Sequence, residues 1–295
     1  IELFFDNKKV ADIPVNTLVE NSPMYDRKWK KAKLPKKNKI NKDDINNLKI
    51  IEVLKKILAN PNICSKDWIW EQYDHMVMSG CTVEPGSDAG VVRLSIAGID
   101  KYLAIANDCN NRFCFLDPYR GAQIAFVECM RNLACSGAKA LAVTDNLNFG
   151  NPNKPEAYYM LKECVNGLAD ACAHFDVPVV GGNVSLYNEH GDGAIDPTPV
   201  VSMVGLIDKP ELVTRSTISG TGQSVVLLGG FSDELGGSYF LQTQHGLKEG
   251  KVPVVDLEAE AKLQGLLIGG IELGLISSAH DLAEGGLLVA MLEML

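Results

Sequence analysis

The sequence predicts a layered α+β protein, and three observations lead to this prediction. Apolar side chains recur at three- and four-residue steps near residues 122–137 and 155–174, which is the spacing of amphipathic helices. Short apolar runs typical of strands lie before, between and after these two segments. The strands and helices do not alternate in a strict strand–helix–strand rhythm, which favours an α+β arrangement.

The N-terminal part differs in amino-acid composition from the rest of the chain. Residues 1–13 are expected to form two short strands around the turn DNKK, with too little apolar surface to be stable alone. Residues 21–48 are polar and rich in lysine, which is typical of a solvated linker. Asp43 or Asp44 is expected to cap a helix that runs to about Leu58.

From residue 62 onward the pattern is that of a folded domain. A short helix is expected in SKDWIWEQYDHMVM, followed by two adjacent strands, AGVVRLSIAG and KYLAIAND. KALAVTD, VPVV and PVVSMVGLI are three further strands. A second unit is expected to open with the strand SVVLLG (224–229) and to contain a helix near residues 256–275. The predicted boundaries are a tail of a preceding unit at 1–20, a linker with a helix at 21–61, an α+β domain at 62–210 and an α/β-like domain at 211–295.

Composition limits the class of function. The chain has 295 residues, 46% of them hydrophobic and 22% charged, as expected for a globular protein with a core. The net charge of −9 argues against a general affinity for nucleic acid, which requires a basic face. No apolar run reaches the length of a membrane span, and no signal-peptide pattern opens the chain.

The eight cysteines are scattered and contain no Cys-x-x-Cys pair. We interpret them as free, mostly buried thiols in a reducing cytoplasm, with a disulfide framework or a zinc site as the alternative. The chain opens at Ile1 in a strand-like run and stops in the apolar helical pattern GGLLVAMLEML. Both ends favour a piece of a larger protein, whose second unit would then be incomplete.

Four polar segments are candidates for a functional site. The first, residues 106–122, precedes a helix and contains Asp108 and Arg120. Acidic and amide oxygens suit Mg²⁺, and arginines suit phosphate. The alternative is a polar loop that only caps the helix. The last segment, SAHDLAEGG, contains His280 and Asp281, and Asp281 either belongs to a site or caps a helix.

The other two candidate segments follow apolar runs directly. In TDNLNFGNP, Asp145 is suited to bind a metal or a nucleotide, or to form a turn with its own backbone. In VVGGNVSLYNE, Gly182 would let a phosphate approach the backbone, while Asn183 offers an amide oxygen to Mg²⁺ and Ser185 offers a hydroxyl. Taken alone, this last segment favours a simple turn.

The order of these segments is more specific than any one of them. DCNNRFCFLDPYRGA, AVTDNLNFGNP, VPVVGGNVSLYNE and SAHDLAEGGL follow one another, and together they closely resemble the phosphoribosylformylglycinamidine synthase family of purine biosynthesis. The similarity is to the second half of the large synthetase subunit and covers essentially the whole chain. VADIPVNTLVENSPMYDR resembles the junction between the two halves of that subunit.

The resemblance implies an aminoimidazole ribotide synthetase-like fold. Its N-terminal α+β domain would be half of a pseudo-dimeric barrel, and an α/β-like domain, truncated here, would follow. The implied reaction takes formylglycinamide ribonucleotide, ATP and ammonia to formylglycinamidine ribonucleotide, ADP and phosphate. ATP would first phosphorylate the substrate amide oxygen, and ammonia would then displace phosphate. The implied partners are the first half of the same polypeptide, a glutaminase subunit that supplies ammonia, and a small assembly subunit.

The resemblance also implies residue roles. Asp145 and Gly182 would contact ATP, Asn183 would bind Mg²⁺ and Ser185 would contact the substrate. By internal repeat, Asp281 matches a metal-binding aspartate of the first half.

One segment departs from the family pattern. Where the first half of the family has Ser-His-Asn-His, this chain has CNNR, so that Asn110 and Arg112 replace two histidines. This half is therefore expected to supply no proton-transfer group and to be inactive alone. Asp108 and Arg120 would serve an auxiliary nucleotide site at this degenerate copy. The alternatives are a non-catalytic half stabilised by a nucleotide, or another synthetase or kinase of the same superfamily.

Overall fold

A six-stranded sheet organises the N-terminal two thirds of the computed structural model, which describes residues 1–33, 35, 45, 47–96, 98–191 and 193–295. The strand order is β3-β4-β5-β10-β6-β7. Every neighbouring pair is antiparallel except β6 and β7, which run parallel. The strands are β3 (Cys81–Val83), β4 (Gly90–Ile96), β5 (Ile99–Asp108), β6 (Lys139–Asn148), β7 (Val179–Ser185) and β10 (Thr198–Ile207).

One face of this sheet is covered by helices and the other face is open. In β10 every second residue is buried, which is the alternation of a strand with one covered face. The covering layer consists of α4 (Asn111–Leu116), α5 (Pro118–Cys135) and α6 (Pro155–Phe175). Phe126, Leu133, Cys164 and Met203 are fully buried or nearly so between sheet and helices. The predicted amphipathic helices and apolar strands of this domain are confirmed.

Local sequence explains where the covering helices begin. The Asn110 side chain accepts a hydrogen bond from the backbone N–H of Phe113 and so caps α4. Asp117 accepts one from the N–H of Arg120 and caps α5, whose first residue is Pro118. The helix-capping interpretation of this segment therefore holds for Asn110 and Asp117.

The N-terminal residues form small elements at the periphery. The predicted hairpin is confirmed as β1 (Glu2–Phe5) and β2 (Lys8–Asp12). Among the described residues that follow are α1 (Val15–Leu18), α2 (Ile50–Leu58) and α3 (Asp67–Trp70). The helix predicted to run to about Leu58 is confirmed as α2, which begins at Ile50. Asp43 and Asp44, predicted to cap it, lie outside the described residues.

Part of the predicted linker contacts the sheet domain, although its described residues stay largely exposed, as predicted. The backbone N–H of Lys30 donates to the carbonyl of Pro155 at 3.0 Å, and Arg27 bonds to the side chain of Asn153. The Lys162 ammonium lies 4.6 Å from the centre of the Trp29 ring, a cation–π contact. The described residues 27–30 thus lie along the start of α6.

The C-terminal unit contains α7 (Tyr239–His245), α8 (Leu257–Glu272) and α9 (Gly286–Glu293). The helix predicted near 256–275 is confirmed as α8. The strand predicted at 224–229 is wrong: these residues have no strand partner within the described residues, and Val225 and Val226 are exposed. A short hairpin of β8 (Glu189–His190) and β9 (Gly193–Ala194) lies between β7 and β10. The eight cysteines are free thiols, and none of the described helices is long and apolar enough to cross a membrane.

Candidate functional site

Two of the predicted loops are strands. Asp145 and Asn146 lie within β6, and Gly182, Asn183 and Ser185 lie within β7. The turn that the sequence favours for VVGGNVSLYNE is therefore wrong, and the turn left open as an alternative at Asp145 is not formed. The parallel register pairs Asp145 with Gly182 and Asn146 with Asn183. The structure therefore brings together four predicted site residues at one edge of the sheet, where β7 is the outermost strand.

Asp145 and Gly182 face each other on the helix-covered side of the sheet. A Cβ atom added to Gly182 would lie 2.4 Å from Asp145 Oδ1, a distance that no real Cβ contact shows. Gly182 has an ordinary strand φ angle, so space rather than backbone freedom requires glycine here. Partial burial raises the pKa of the Asp145 carboxyl above its ordinary value.

Asn183 and Ser185 point to the open side of the sheet, because successive strand residues alternate between faces. The Asn183 Nδ2 group donates to Asn146 Oδ1 at 3.1 Å and to Ser185 Oγ at 3.0 Å. Its Oδ1 atom accepts no hydrogen bond from the described residues and is left exposed to a ligand. Asn188 Nδ2 donates to the Ser185 carbonyl at 2.9 Å and fixes the chain where it leaves β7.

Asp108 lies in the same row of the covered face as Asp145. Val201 of β10 pairs with Asp108 on one side and with Asp145 on the other. Two strand spacings separate these carboxylates, which is roughly 10 Å between Cα atoms. Arg120 is not joined to Asp108 by any ion pair among the described residues; it lies 3.7 Å from Asp117 instead.

Arg112 and Asn110, which the resemblance matches with two histidines, both form hydrogen bonds to the C-terminal unit. Arg112 is buried, and its guanidinium donates to the carbonyls of Gly237, Ser238 and Leu247 at 2.7, 3.4 and 2.9 Å. Asn110 Nδ2 donates to Glu284 at 2.7 Å while its Oδ1 caps α4. Both side chains therefore connect the sheet domain to the C-terminal unit.

A cluster of buried carboxylates lies beside Asp108. Burial, and then the neighbouring carboxylates, raise the pKa values of Asp108 and Glu128 well above the ordinary range. Burial likewise raises the pKa of Glu284, and it raises that of Asp281 to about 6. Arg131 supplies positive charge to the cluster, with nitrogen atoms 3.7 Å from Asp281 and 4.0 Å from Glu128.

Asp281 also has a set of metal-ligand atoms around it. One potential ligand atom from each of Asp88, His280 and Asp281 lies within 4.8 Å of the others. Asp88 Oδ1 accepts from the Asp281 backbone N–H and contacts His280 Nδ1, but Asp88 Oδ2 and Asp281 Oδ2 are buried without a hydrogen-bond partner. Asp281 Oδ2 still faces Arg131 Nε at 3.7 Å, so Asp88 Oδ2 is the oxygen left without a polar partner, and the two carboxylates together suit a divalent cation. Burial opposes a charge on His280, yet its bonds to Asp88 and Glu293 raise its pKa to about 10. The proposed capping role of Asp281 fails, because α9 begins later, at Gly286.

The two predicted metal ligands do not share one site. Asn183 lies on β7 at one edge of the sheet, whereas Asp281 contacts Asp88, directly before β4. Four strand spacings separate β4 from β7, or roughly 19 Å. A cation at Asn183 and a cation at Asp281 would therefore be different ions.

Sequence reasoning missed several residues that the structure places beside the predicted ones. Asn146 lies in the segment TDNLNFGNP but is not among the predicted site residues. Glu128 and Arg131 interrupt the apolar face of α5, which was the available signal for a buried polar cluster. Asp88 gave no signal, because it meets Asp281 only through the tertiary fold.

Comparison with known protein families identifies two domains in this chain. Residues 86–207 match the family described as AIR synthase related protein, N-terminal domain, and residues 220–295 match its C-terminal domain. The chain belongs to the AIR synthase related family. The match covers the whole six-stranded sheet except β3, together with the C-terminal unit, and it confirms the predicted α+β fold class.

Within this AIR synthase related family the chain resembles one kind of enzyme subunit. It is 45% identical over 298 residues to phosphoribosylformylglycinamidine synthase subunit PurL of Caldanaerobacter subterraneus subsp. tengcongensis. That alignment includes 99% of this chain but 40% of the relative, so the chain spans about two fifths of that subunit's length. The resemblance predicted from the ordered polar segments is confirmed.

Solved structures of the same subunit share the fold. Thermotoga maritima PurL complexed with ATP is 27% identical, with a TM-score of 0.54 over 72% of this chain and 32% of that one. The PurLQS complex from Thermotoga maritima gives 28% identity and a TM-score of 0.53, covering 70% and 31%. T. maritima PurL complexed with FGAR shows the fold over 98% of this chain and 40% of that one, at 23% identity and a TM-score of 0.59.

Proposed function

We propose that this chain is part of an ATP-dependent carbon–nitrogen ligase of purine biosynthesis. The reaction converts formylglycinamide ribonucleotide, ATP and glutamine-derived ammonia to formylglycinamidine ribonucleotide, ADP and phosphate. The observation that carries the proposal is the 45% identity to PurL across nearly the whole chain, which includes the β6–β7 edge. The chain would be the second half of the synthetase polypeptide and would act only together with the first half.

In this proposal the nucleotide lies against the β6–β7 edge. Asp145 and Gly182 line the covered side of the edge strand, and Asn183 and Ser185 line its open side. A nucleotide that crosses the edge of β7 would contact both pairs. The likeness to PurL complexed with ATP supports a nucleotide as the ligand.

The exposed Asn183 Oδ1 would be one ligand of a Mg²⁺ ion bound with the nucleotide. A bound Mg²⁺ supplies positive charge that offsets the charge developing on a transferring phosphoryl group. Asn146 and Ser185 both accept from Asn183 Nδ2, and these two hydrogen bonds fix the orientation of the amide. The Asp281 and Asp88 carboxylates would hold a second, separate cation, while His280, bonded through both ring nitrogens, would only hold Asp88 in place.

The substrate would lie on the open side, against Ser185. There the β6–β7 edge would orient the amide of the ribonucleotide so that its oxygen receives the γ-phosphoryl group of ATP. Ammonia would then attack the resulting iminophosphate carbon, and phosphate would leave. Alignment of the reactants is the main contribution that these fixed, uncharged side chains can make.

The proton-transfer residue would come from the first half. In this chain Asn110 and Arg112 stand where the resemblance implies histidines in the first half, and both side chains already form structural hydrogen bonds. The open sheet face also carries exposed apolar side chains, among them Val92 and Ile105, which are 40% and 49% exposed. We propose that the first half covers this apolar area and brings its proton-transfer group to the β6–β7 edge. The PurLQS complex supports a glutaminase subunit and a small assembly subunit as further partners.

The test is ADP release by the full-length polypeptide that contains this chain. Formylglycinamide ribonucleotide and ammonia together should stimulate ADP release, and this chain alone should release none. If the ribonucleotide does not stimulate ADP release by the full-length polypeptide but another phosphate acceptor does, the result would favour a different synthetase or kinase of the superfamily.

A second candidate function is supported by the buried carboxylates. Asp108, Glu128 and Asp281 would hold cations that bind a structural nucleotide at the degenerate copy, with Arg120 near its phosphates. This proposal explains why carboxyl groups with raised pKa values cluster beside the segment in which Asn110 and Arg112 stand in place of two histidines. Thermal unfolding of this chain with Mg-ADP tests it: the midpoint should rise in the wild type and not in Asp281→Asn.

A further inference from the structure

The open face of the six-stranded sheet is divided into an apolar part and a polar part. Toward the start of β5 and the end of β10, its side chains include Leu103, Ile105, Val204 and Leu206. Toward the end of β5 and the start of β10, amides and hydroxyls replace most of them, with Val200 as an apolar exception. The boundary falls between two adjacent rows of the sheet, at Ile105 and Asn107 on β5.

The polar part is a contiguous surface that the strand register builds. Asn107 of β5 pairs with Ser202 of β10, and Ser202 pairs with Thr144 of β6. Thr144 in turn pairs with Gly181 of β7, where a Cβ would meet Thr144 Oγ1 at 3.8 Å. This row crosses four strands and is roughly 14 Å long. We call it the polar row.

The polar row continues into the proposed substrate site. Along β7, Asn183 and Ser185 follow Gly181 on the same face at two-residue steps. Each step is roughly 7 Å, so Ser185 lies roughly 13 Å from Gly181. The polar row and Ser185 therefore bound a surface of about the size of one nucleotide.

The row has unused hydrogen-bonding groups but no charge. The Ser202 hydroxyl donates to Asn107 Oδ1, which leaves Asn107 Nδ2 without a partner among the described residues. Thr144 Oγ1 also has no hydrogen-bond partner within the described part of the chain. Both groups are accessible, because Asn107 is exposed and Thr144 is half-buried. Neutral donors and acceptors suit hydroxyl and amide groups better than a phosphate, which selects arginine or lysine.

We propose that the polar row binds the uncharged part of the ribonucleotide substrate, namely its ribose hydroxyls and amide chain. Asn107 and Thr144 would be direct substrate contacts in addition to Ser185, and Ser202 would hold the Asn107 amide in place. The phosphate of the substrate would lie beyond this surface. This inference rests on the proposed function, because it names further contacts for the same substrate.

The test compares substrate and ATP affinity in the full-length polypeptide. Thr144→Val removes the hydroxyl at constant volume, and Thr144→Ser restores a hydroxyl in the same place. Each lost hydrogen bond should raise the KM of formylglycinamide ribonucleotide about five- to tenfold. The KM of ATP should stay within about twofold in both variants, and Thr144→Ser should recover most of the substrate affinity.

Ser202→Ala is a second test variant, and Ser95→Ala is its matched control. Both remove one serine hydroxyl from a strand, but Ser95 lies on β4, outside the polar row. Ser202→Ala should raise the substrate KM and Ser95→Ala should not. Calorimetric titration with the ribonucleotide in the absence of ATP should show the same order of affinities.

An unchanged substrate KM in Thr144→Val, or an equal rise in the KM values of substrate and ATP, would overturn the inference. Failure of the proposed function is a separate outcome. In that case the wild-type polypeptide itself would show no ribonucleotide-stimulated ADP release and no calorimetric binding.

Discussion

Asp145 and Gly182 share one small volume between two parallel strands. The Asp145 carboxylate lies where the side chain of any other residue at position 182 would be, since an added Cβ would be 2.4 Å from Oδ1. The sequence suggested that this glycine lets a phosphate approach the backbone. The structure supplies a nearer reason, which is that glycine makes room for the rotamer of a neighbouring carboxylate.

Gly182→Ala should therefore weaken ATP binding by displacing Asp145. We expect at least about a tenfold rise in the dissociation constant of Mg-ATP and a loss of about 1–3 kcal/mol of stability from the steric conflict. Isothermal titration and urea unfolding of the full-length polypeptide measure the two effects. Gly181→Ala is the control, because its nearest contact would be 3.8 Å away and its ATP affinity should not change.

Asn146 should control the orientation of the Asn183 amide. Asn146→Leu removes the acceptor at 3.1 Å while keeping the volume, which leaves Ser185 Oγ as the single acceptor of Nδ2 and so weakens the orientation of the amide. The Mg²⁺ concentration needed for half-maximal ADP release should rise several-fold. Asn146→Asp keeps an acceptor and should not raise it. An equal effect of both substitutions would contradict an orienting role.

Glu128 should make the chain less stable as pH rises. Its folded-state pKa is raised by burial and then by Asp108, so its unfolded form loses the proton first. The stability associated with this group is therefore present below the ordinary glutamate pKa and is lost as pH rises toward the raised folded value. Glu128→Gln should gain about 1–3 kcal/mol over wild type at pH 8 in EDTA and much less at pH 4.

Urea unfolding of this chain at the two pH values measures the Glu128 effect. Glu258→Gln is a suitable control, since its side chain is 65% exposed on α8, and it should leave the pH dependence unchanged. A Glu128→Gln variant that is less stable than wild type at pH 8 would show that the carboxylate is needed in its charged form.

Arg112 should stabilise the contact between the sheet domain and the C-terminal unit and should have no catalytic role. Arg112→His restores a residue type of the family pattern but leaves the carbonyls of Gly237 and Leu247 without their donor. We expect a loss of about 2–4 kcal/mol in unfolding free energy and no gain of ADP release by this chain alone. ADP release by the variant chain would contradict the structural role.

The sequence was sufficient for the fold of the sheet domain because local and tertiary preferences agree there. The apolar faces of α5 and α6 and the alternation in β10 each point to the same covered layer. The strand predicted at 224–229 failed for a physical reason. Val225 and Val226 have strand-like composition, but strand formation needs a neighbouring strand to pair with, and none lies beside them among the described residues.

The sequence located the candidate site but not its geometry. The asparagines and glycines near Asp145 and Asn183 suggested turns, yet the parallel pairing of β6 with β7 keeps them extended. Because β6 and β7 are separated in sequence, neither segment alone indicates that the two strands pair. The same holds for Asp88, which meets Asp281 across 193 residues of chain.

The most direct test of the account is the rate of ribonucleotide-stimulated ADP release by the full-length polypeptide carrying Asp145→Ala. We predict that kcat/KM for ATP falls at least about a hundredfold, because the β6–β7 edge loses its nucleotide contact. Asp100→Ala, which removes only an exposed ion pair with Arg93, should retain wild-type rates. Unchanged kcat/KM values for both ATP and ribonucleotide in Asp145→Ala would contradict the assignment of this edge to the ATP-dependent site.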